Sequence, residues 1–298
     1  MSISGKRRQA KLAAAFALPA LAVMMAVVLY PFLYNVYLSV TDMGLYTWRD
    51  PSIQSPIWKN YTEVLSNPEL YGVFLKTVLW TGINVFFHVA IGIFLALILN
   101  QNLPGRTLFR VLLILPWAMP QYISALTWKG MFNYEWGAVN ALLGKIGLPA
   151  IAWSSDPFWA FMGPLITNIW LGFPFMMIIA LGGLQSIPAS IYESAEVDGA
   201  GPVRRFFSVT LPMLKPVLAP AVMLGTIWTF NNLNVIWLVS NGGEPGDRTH
   251  ILVSYVYKAA FTYYRYGYAA AFSMLIFLVL FGFVWAQNRL GKASEVSW

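Results

Sequence analysis

Three apolar stretches of this chain carry amide, hydroxyl and indole side chains at the spacing of a single helix face. In TNIWLGFPF, Asn168, Leu171, Gly172 and Phe175 fall at i, i+3, i+4 and i+7. In GTIWTFNNLN, Gly225, Trp228, Thr229 and Asn232 repeat that relation, with Asn231 and Asn234 beside them. In LPWAMPQYIS, Trp117, Gln121 and Ser124 share a face, and Pro116 and Pro120 are expected to bend it. A polar group in hydrocarbon is costly unless it finds a partner or a water-filled cavity. Matched faces of this kind suit a neutral polyhydroxylated ligand such as a sugar, whose hydroxyls hydrogen-bond and whose flat C–H faces stack on rings. For each Asn taken singly, helix–helix hydrogen bonding is the alternative.

Other chemistries find little footing. An ion or proton path wants acids or bases deep in the apolar runs, and only His88 lies there; a lone histidine at such a depth reads as an inter-helix hydrogen-bonding residue. None of Asp42, Glu63, Glu135 or Asp156 is placed deeply enough to couple an ion. There is no GxxxxGK[ST] phosphate loop, since Gly144-Lys145 lacks the upstream glycine, and no HExxH. Ser190 and Ser194 have no nearby histidine to activate them. The chain has no cysteine, which removes thiol nucleophiles and zinc–thiolate sites. No catalytic or metal-binding residue is expected, so energy for uphill transport would come from another chain.

These faces need helices to hold them, and the composition says of what kind. The chain is 58% hydrophobic and 10% charged with mean hydropathy +0.61, against roughly 25% charged residues in soluble domains. It reads as an all-α membrane protein with six transmembrane helices of about 20 residues, near Leu12–Leu38, Thr77–Leu99, Thr107–Thr127, Phe158–Leu181, Val217–Val239 and Tyr268–Trp285. The expected organisation is a basic tail at 1–11, a membrane domain over 12–290 and a second tail at 291–298. Lys6, Arg7, Arg8 and Lys11 favour the cytoplasm for the amino terminus, and an even number of spans then puts both termini there. The segments between spans divide into Thr41–Leu70, Phe132–Pro157 with helical spacing at Val139, Leu142 and Leu143, and a Gly/Pro-rich loop, Asn241–Arg248. Tyr263, Tyr264, Tyr266 and Tyr268 suit an interfacial belt. The net charge of +7 is a topology signal, because no basic patch interleaved with stacking aromatics lies outside the spans.

One long charged stretch, Tyr192–Pro216, is flanked on both sides by membrane-grade apolar runs. Pro188 suits the start of a helix, Asp198-Gly199 is a turn pair, and Pro202 is expected to start a second helix that Pro212 stops. These signals read as a compact helix-turn-helix at the membrane surface, whereas composition alone favours an ordinary interfacial loop.

The residues of that stretch resemble a known pattern. Tyr192-Glu193-Ser194-Ala195, Asp198-Gly199-Ala200, then Leu211-Pro212 are similar to the EAA loop of permease subunits of ATP-binding-cassette importers, with Ser194 in place of the first alanine. RVLLILPWAMPQYIS, NIWLGFPFMMII and FNNLNVIWLVSNGG extend the resemblance to the carbohydrate-uptake branch of the MalF type, maltose/maltodextrin permeases. The resemblance implies an ABC importer permease fold with a cytoplasmic coupling loop at about 185–216. It implies a multi-pass subunit of the cell inner membrane that imports maltose, malto-oligosaccharide or a similar disaccharide such as trehalose by alternating access. It also implies three partners: a second homologous permease, a cytoplasmic ATPase pair that binds ATP and Mg, and an extracytoplasmic sugar-binding protein. No cofactor is implied in this chain.

The coupling residues implied are Tyr192, Glu193, Ser194, Ala195, Asp198, Gly199, Ala200, Arg204 and Arg205. The sugar-contacting positions implied are Trp117, Gln121, Asn168, Leu171, Gly172, Phe175, Gly225, Trp228, Thr229 and Asn232. Several of these depart from the family's pattern, with tryptophan at 117, phenylalanine at 175, and Gly225, Trp228 and Thr229 where serine, phenylalanine and asparagine are expected. The exact sugar therefore does not transfer. A permease for another small solute, an autonomous channel or secondary transporter, and an intramembrane enzyme on lipid-linked sugars are the rival readings.

Overall fold

The computed structural model describes residues 3–292, with side chains given for Leu12, 15–287 and Arg289. The charges of Lys6–Lys11 and the tail at 291–298 thus fall outside the described side chains. Helices make up the regular structure: α1 (Ile3–Met24), α2 (Tyr30–Ser39), α3 (Lys59–Ser66), α4 (Pro68–Leu99), α5 (Arg106–Ala118), α6 (Gln121–Met131), α7 (Ala138–Lys145) and α8 (Pro157–Ser186), then α9 (Ala189–Val197), α10 (Pro202–Arg205), α11 (Leu211–Phe230), α12 (Leu233–Val239), α13 (Leu252–Phe261) and α14 (Tyr266–Lys292). Five are long and apolar enough to cross a membrane, at Ala15–Ser39, Pro68–Leu99, Pro157–Ser186, Pro202–Phe230 and Tyr266–Gln287. A sixth crossing is possible only if α5 and α6 count together, and they meet at 93°. Pro116 and Pro120 therefore do more than bend the third span. Met119 is extended between them, as a residue before proline tends to be, and the helix breaks there.

The described chain packs as two compact units. One runs to Pro68 and adds Val256–Leu278. In it the segment after α2 is pinned by Asn60, 4% exposed, whose Nδ2 donates to the carbonyls of Ser39 and Thr41, each at 2.9 Å. Gly267 N–H donates to Met43 O, and a side chain at Gly267 would strike the Thr41 carbonyl. Tyr268 is buried beneath the Arg265 guanidinium, while Tyr263 and Tyr264 stay exposed.

The other unit takes Glu69–Tyr255 and the described residues from Val279. Here α8 is central. Its first turn is fixed by Asp156, whose carboxylate accepts from Phe158 N and Trp159 N at 2.9 and 3.0 Å, with Pro157 leading the helix. Two apolar cores form along it. Leu165 and Leu171 join Trp80, Phe132, Trp153, Val235 and Ile236 in one; Met177, Ala180, Leu181 and Leu184 join Ile93, Ala96, Leu99 and Leu214 in the other. Gly92 of α4 touches α8 where a Cβ would lie 2.7 Å from Met176 Cβ and 2.8 Å from Met177 N.

Two expectations along the Tyr192–Pro216 stretch are corrected. Pro188 is the residue before α9, not its first helical position. Pro212 does not stop the second helix either, because the helix is continuous from Pro202 to Phe230. The reason is a single wide turn, Phe206–Thr210, closed by Leu211 N–H to Phe206 O, one residue before the proline. A proline ring clashes with the carbonyl four residues back and removes a donor; a π-turn widens the spiral where that clash would fall. The first span repeats the device, with a π-turn at Met25–Leu29, Tyr30 N–H to Met25 O, and then Pro31.

The Gly92 contact yields a matched comparison. Gly92→Ala is expected to destabilise the detergent-solubilised protein by about 1–3 kcal/mol through overpacking against α8 backbone. Gly82→Ala, on the same helix with nothing within 4 Å, is expected to be neutral or stabilising by up to about 1 kcal/mol. Thermal unfolding of the two variants checks this, and equal midpoints would refute it.

Candidate functional site

Between the two cores lies a cavity of about 320 Å³, lined by Trp117 of α5, Gln121 of α6, Asn168, Leu171, Gly172, Phe175 and Met176 of α8, and Gly225, Trp228 and Thr229 of α11. His88 of α4, Asn231, Asn232, Leu233 and Asn234 complete it. Every sugar-contacting position expected from the sequence lies on this one lining. His88, Met176, Asn231, Leu233 and Asn234 are not among those positions.

How these residues arrive there differs from the simple stripe. On α8, Asn168, Leu171, Gly172 and Phe175 do share one face of an unbroken helix. On the fifth span the helix ends at Phe230 and α12 starts at Leu233. Val217–Val239 is therefore not one straight span, and Asn232 reaches the cavity from the break instead of from the helix face that carries Gly225, Trp228 and Thr229. The cause is local chemistry. Asn232 is the N-cap of α12, its Oδ1 accepting from Val235 N at 3.3 Å, and asparagine favours caps over helix interiors because its amide competes for backbone groups.

The groups freed by the break find partners. Thr229 O accepts from Asn232 N at 3.2 Å and from the indole Nε1–H of Trp80 at 2.9 Å, and Trp80 is fully buried. Asn232 Nδ2 donates to Asn168 Oδ1 at 2.6 Å, joining α8 to the break. Asn168 Nδ2 is buried and has no partner among the described residues. Asn234 Nδ2 donates to Gln121 Oε1 at 3.1 Å, which ties the far side of the break to α6.

One wall is aromatic. Phe175 sits 6.2 Å from the Trp117 ring, tilted by 34°, and 5.3 Å from the Trp228 ring, tilted by 58°. Both tryptophans are about half exposed, at 50% and 51%. The Asn168–Asn232 amide pair lines the same cavity. No charged side chain is among the lining residues, and among the described residues no group of three His, Asp or Glu could hold a metal. Such a lining can hydrogen-bond a neutral ligand and stack on its faces, and it offers no acid–base pair for covalent chemistry.

Sequence spacing passed over a fourth polar stripe. Thr77, Thr81, Asn84 and His88 recur every three or four residues on α4, and all are buried. Thr77 Oγ1 accepts from Leu252 N at 2.9 Å, and Asn84 Nδ2 donates to Trp80 O at 2.8 Å. His88 does make the inter-helix bond expected of it, Nε2 lying 2.9 Å from Asn168 O.

The helical bundle, the broken third and fifth spans, and the central cavity free of charge describe a solute-conducting membrane subunit. The chain belongs to the family of binding-protein-dependent transport system inner membrane components, whose model matches residues 88–293. Members are transport components, not enzymes. The chain is 35% identical over 290 residues to the trehalose/maltose transport system permease protein MalF of Thermococcus litoralis, covering 96% of each. It is 39% identical over 264 residues to the maltose/maltodextrin transport system permease protein MalF of Escherichia coli K12, matching 82% of this chain and 51% of that one. Its fold is shared with a chain of a bacterial ABC transporter involved in the import of the acidic polysaccharide alginate, with TM-score 0.83 and 21% identity over 99% of both. The fold is that of an ABC importer permease.

The Asn232 network sets a stability test. Asn232→Ala leaves Val235 N–H and Asn168 Oδ1 without partners and is expected to cost about 1–3 kcal/mol. Asn234→Ala removes one exposed bond and should cost less than about 1 kcal/mol. Chemical unfolding of the purified variants measures the difference; the reverse order would refute the network's role.

Proposed function

We propose that this chain is a permease subunit of a sugar importer that passes maltose, a malto-oligosaccharide or a similar disaccharide such as trehalose through the cavity by alternating access. The observation that carries this reading is the presence of a three-ring wall, Trp117, Phe175 and Trp228, and amide side chains on one cavity lining without charge. Sugars stack C–H faces on rings and saturate amides with hydroxyls. The partly exposed tryptophans leave ring surface for a ligand, and Asn168 Nδ2 retains donor capacity. Relatives named for maltose and trehalose support the same substrate class.

In this reading the sugar-contacting residues are Trp117, Gln121, Asn168, Leu171, Gly172, Phe175, Gly225, Trp228, Thr229 and Asn232. The partners are a second homologous permease, an extracytoplasmic sugar-binding protein and a pair of cytoplasmic ATPases that hold ATP and Mg. The chain spans the cell inner membrane with both termini in the cytoplasm. The coupling surface is the turn from α9 to α10. Gly199 holds φ +74° there, a conformation glycine adopts without a Cβ penalty, and Glu193 and Asp198 are exposed beside it. Tyr192 OH lies 3.2 Å from Thr210 Oγ1, and Arg205 lies 3.4 Å from Glu196, so α9 is fastened to the start of the fifth span. Because Pro202–Phe230 is one continuous helix, a push on that turn would be felt at Gly225, Trp228 and Thr229.

Two measurements test the proposal in the transporter reconstituted with its partner subunits and binding protein. Trp228→Ala should lower sugar affinity roughly 5–30-fold, equivalent to about 1–2 kcal/mol of lost stacking, while the complex still assembles. Absence of saturable uptake of maltose and trehalose by the unaltered transporter would sink the sugar assignment. Separately, Glu193→Lys or Gly199→Asp should weaken co-purification with the ATPase while the chain still inserts; wild-type recovery of the ATPase would remove the coupling role.

A further inference from the structure

We infer that His88 is a ligand-facing, specificity-determining residue of the cavity, its imidazole accepting a hydrogen bond from a sugar hydroxyl across Gly172. The inference rests on the sugar reading above and adds to it a residue on α4, a helix that supplies none of the positions implied by the sequence motifs. His88 is 4% exposed, and it lines the cavity. Its Nε2 lies 2.9 Å from the backbone oxygen of Asn168. A carbonyl only accepts, so Nε2 carries the hydrogen and, in the neutral ring, Nδ1 is left as an acceptor. Nδ1 has no partner among the described residues.

The neighbouring glycine gives the ring its place. A Cβ at Gly172 would collide with Cε1, Nε2 and Nδ1 of His88, so the ring sits where a side chain of this cavity residue would otherwise lie. Any side chain at position 172 would displace it. Asn168, held by His88 at its carbonyl and by Asn232 at Oδ1, keeps Nδ2 free. Two groups of cavity-lining residues thus remain without partners among the described residues, an acceptor at His88 Nδ1 and an amide donor at Asn168 Nδ2. A vicinal diol can satisfy both, one hydroxyl donating and its neighbour accepting, whereas a deoxy or O-methylated carbon cannot. A polar site built to bond a hydroxyl discriminates strongly against an analogue that lacks it.

The experiment titrates the reconstituted transporter with maltose and trehalose, without binding protein, and reads the fluorescence of the cavity tryptophans. His88→Phe keeps a ring of similar shape and removes both nitrogens; His88→Gln keeps a donor for Asn168 O and an acceptor. We expect His88→Phe to weaken sugar binding about tenfold or more and His88→Gln to stay within about threefold of wild type. Sugar affinity in His88→Phe within about twofold of wild type, with normal co-purification of the partner subunits, overturns the inference. If the wild-type transporter itself gives no saturable response to either sugar, the sugar reading falls and this inference with it. Should neither variant assemble, the wild type decides. The chain has only two histidines, and in ¹⁵N-histidine spectra of this chain a maltose-induced shift of an Nδ1 acceptor signal supports the inference, while unchanged signals overturn it.

Discussion

The centre of this molecule depends on keeping a break in the fifth span satisfied in a setting that excludes water. A helix that stops inside hydrocarbon leaves carbonyls and amides that must be answered by protein. Here Trp80 answers the carbonyl of Thr229, Asn232 caps the helix that follows, and the Asn168 side chain accepts from Asn232. Four helices, α4, α8, α11 and α12, are committed to one another by these few bonds. The cavity exists because the break turns backbone and amides inward beside a row of rings.

Bare backbone does comparable work around the cavity. Gly172 leaves room for the His88 ring, Gly225 for Met176, and Gly92 for the close approach of α4 to α8. In lipid there is no hydrophobic drive between helices, so close packing through small residues and buried hydrogen bonds holds the bundle. The two apolar cores at either end of the polar stretch of α8 then act as clamps. In the layer between them Asn168 Nδ2 remains unanswered, and there a polar solute has something to gain.

The prolines differ in effect. The third span breaks before Pro120 into α5 and α6 at 93°, with Pro116 inside α5, which sets Trp117 and Gln121 on separate helices of the same lining. Pro212 and Pro31 follow π-turns and leave their helices continuous. For the segment Pro202–Phe230 this continuity matters mechanically. A continuous helix, with Pro216 and Pro220 inside it, runs from just after the charged turn at Gly199 to Trp228, whereas a helix stopped at Pro212 would have left a loop between them.

By itself the sequence determined the class, the number of apolar runs and the polar faces. Hydrophobic length and helical spacing are local properties, readable without knowing what lies opposite. Asn168, Leu171, Gly172 and Phe175 are legible in that way, and so is the turn at Asp198-Gly199. Tertiary structure decided the rest. That the Asn232 amide is answered across the bundle and that His88 joins the cavity turn on partners tens of residues away, while Pro212 is tolerated through a π-turn that the spacing does not announce. Asn232 bonds Asn168, and His88 bonds the same residue from α4. The α4 stripe of Thr77, Thr81, Asn84 and His88 had the right spacing, but only the packing of α4 against α8 shows that its last member faces a cavity instead of lipid. An amide or an imidazole has the same preference for a partner wherever it sits; which partner it finds is set by the whole bundle.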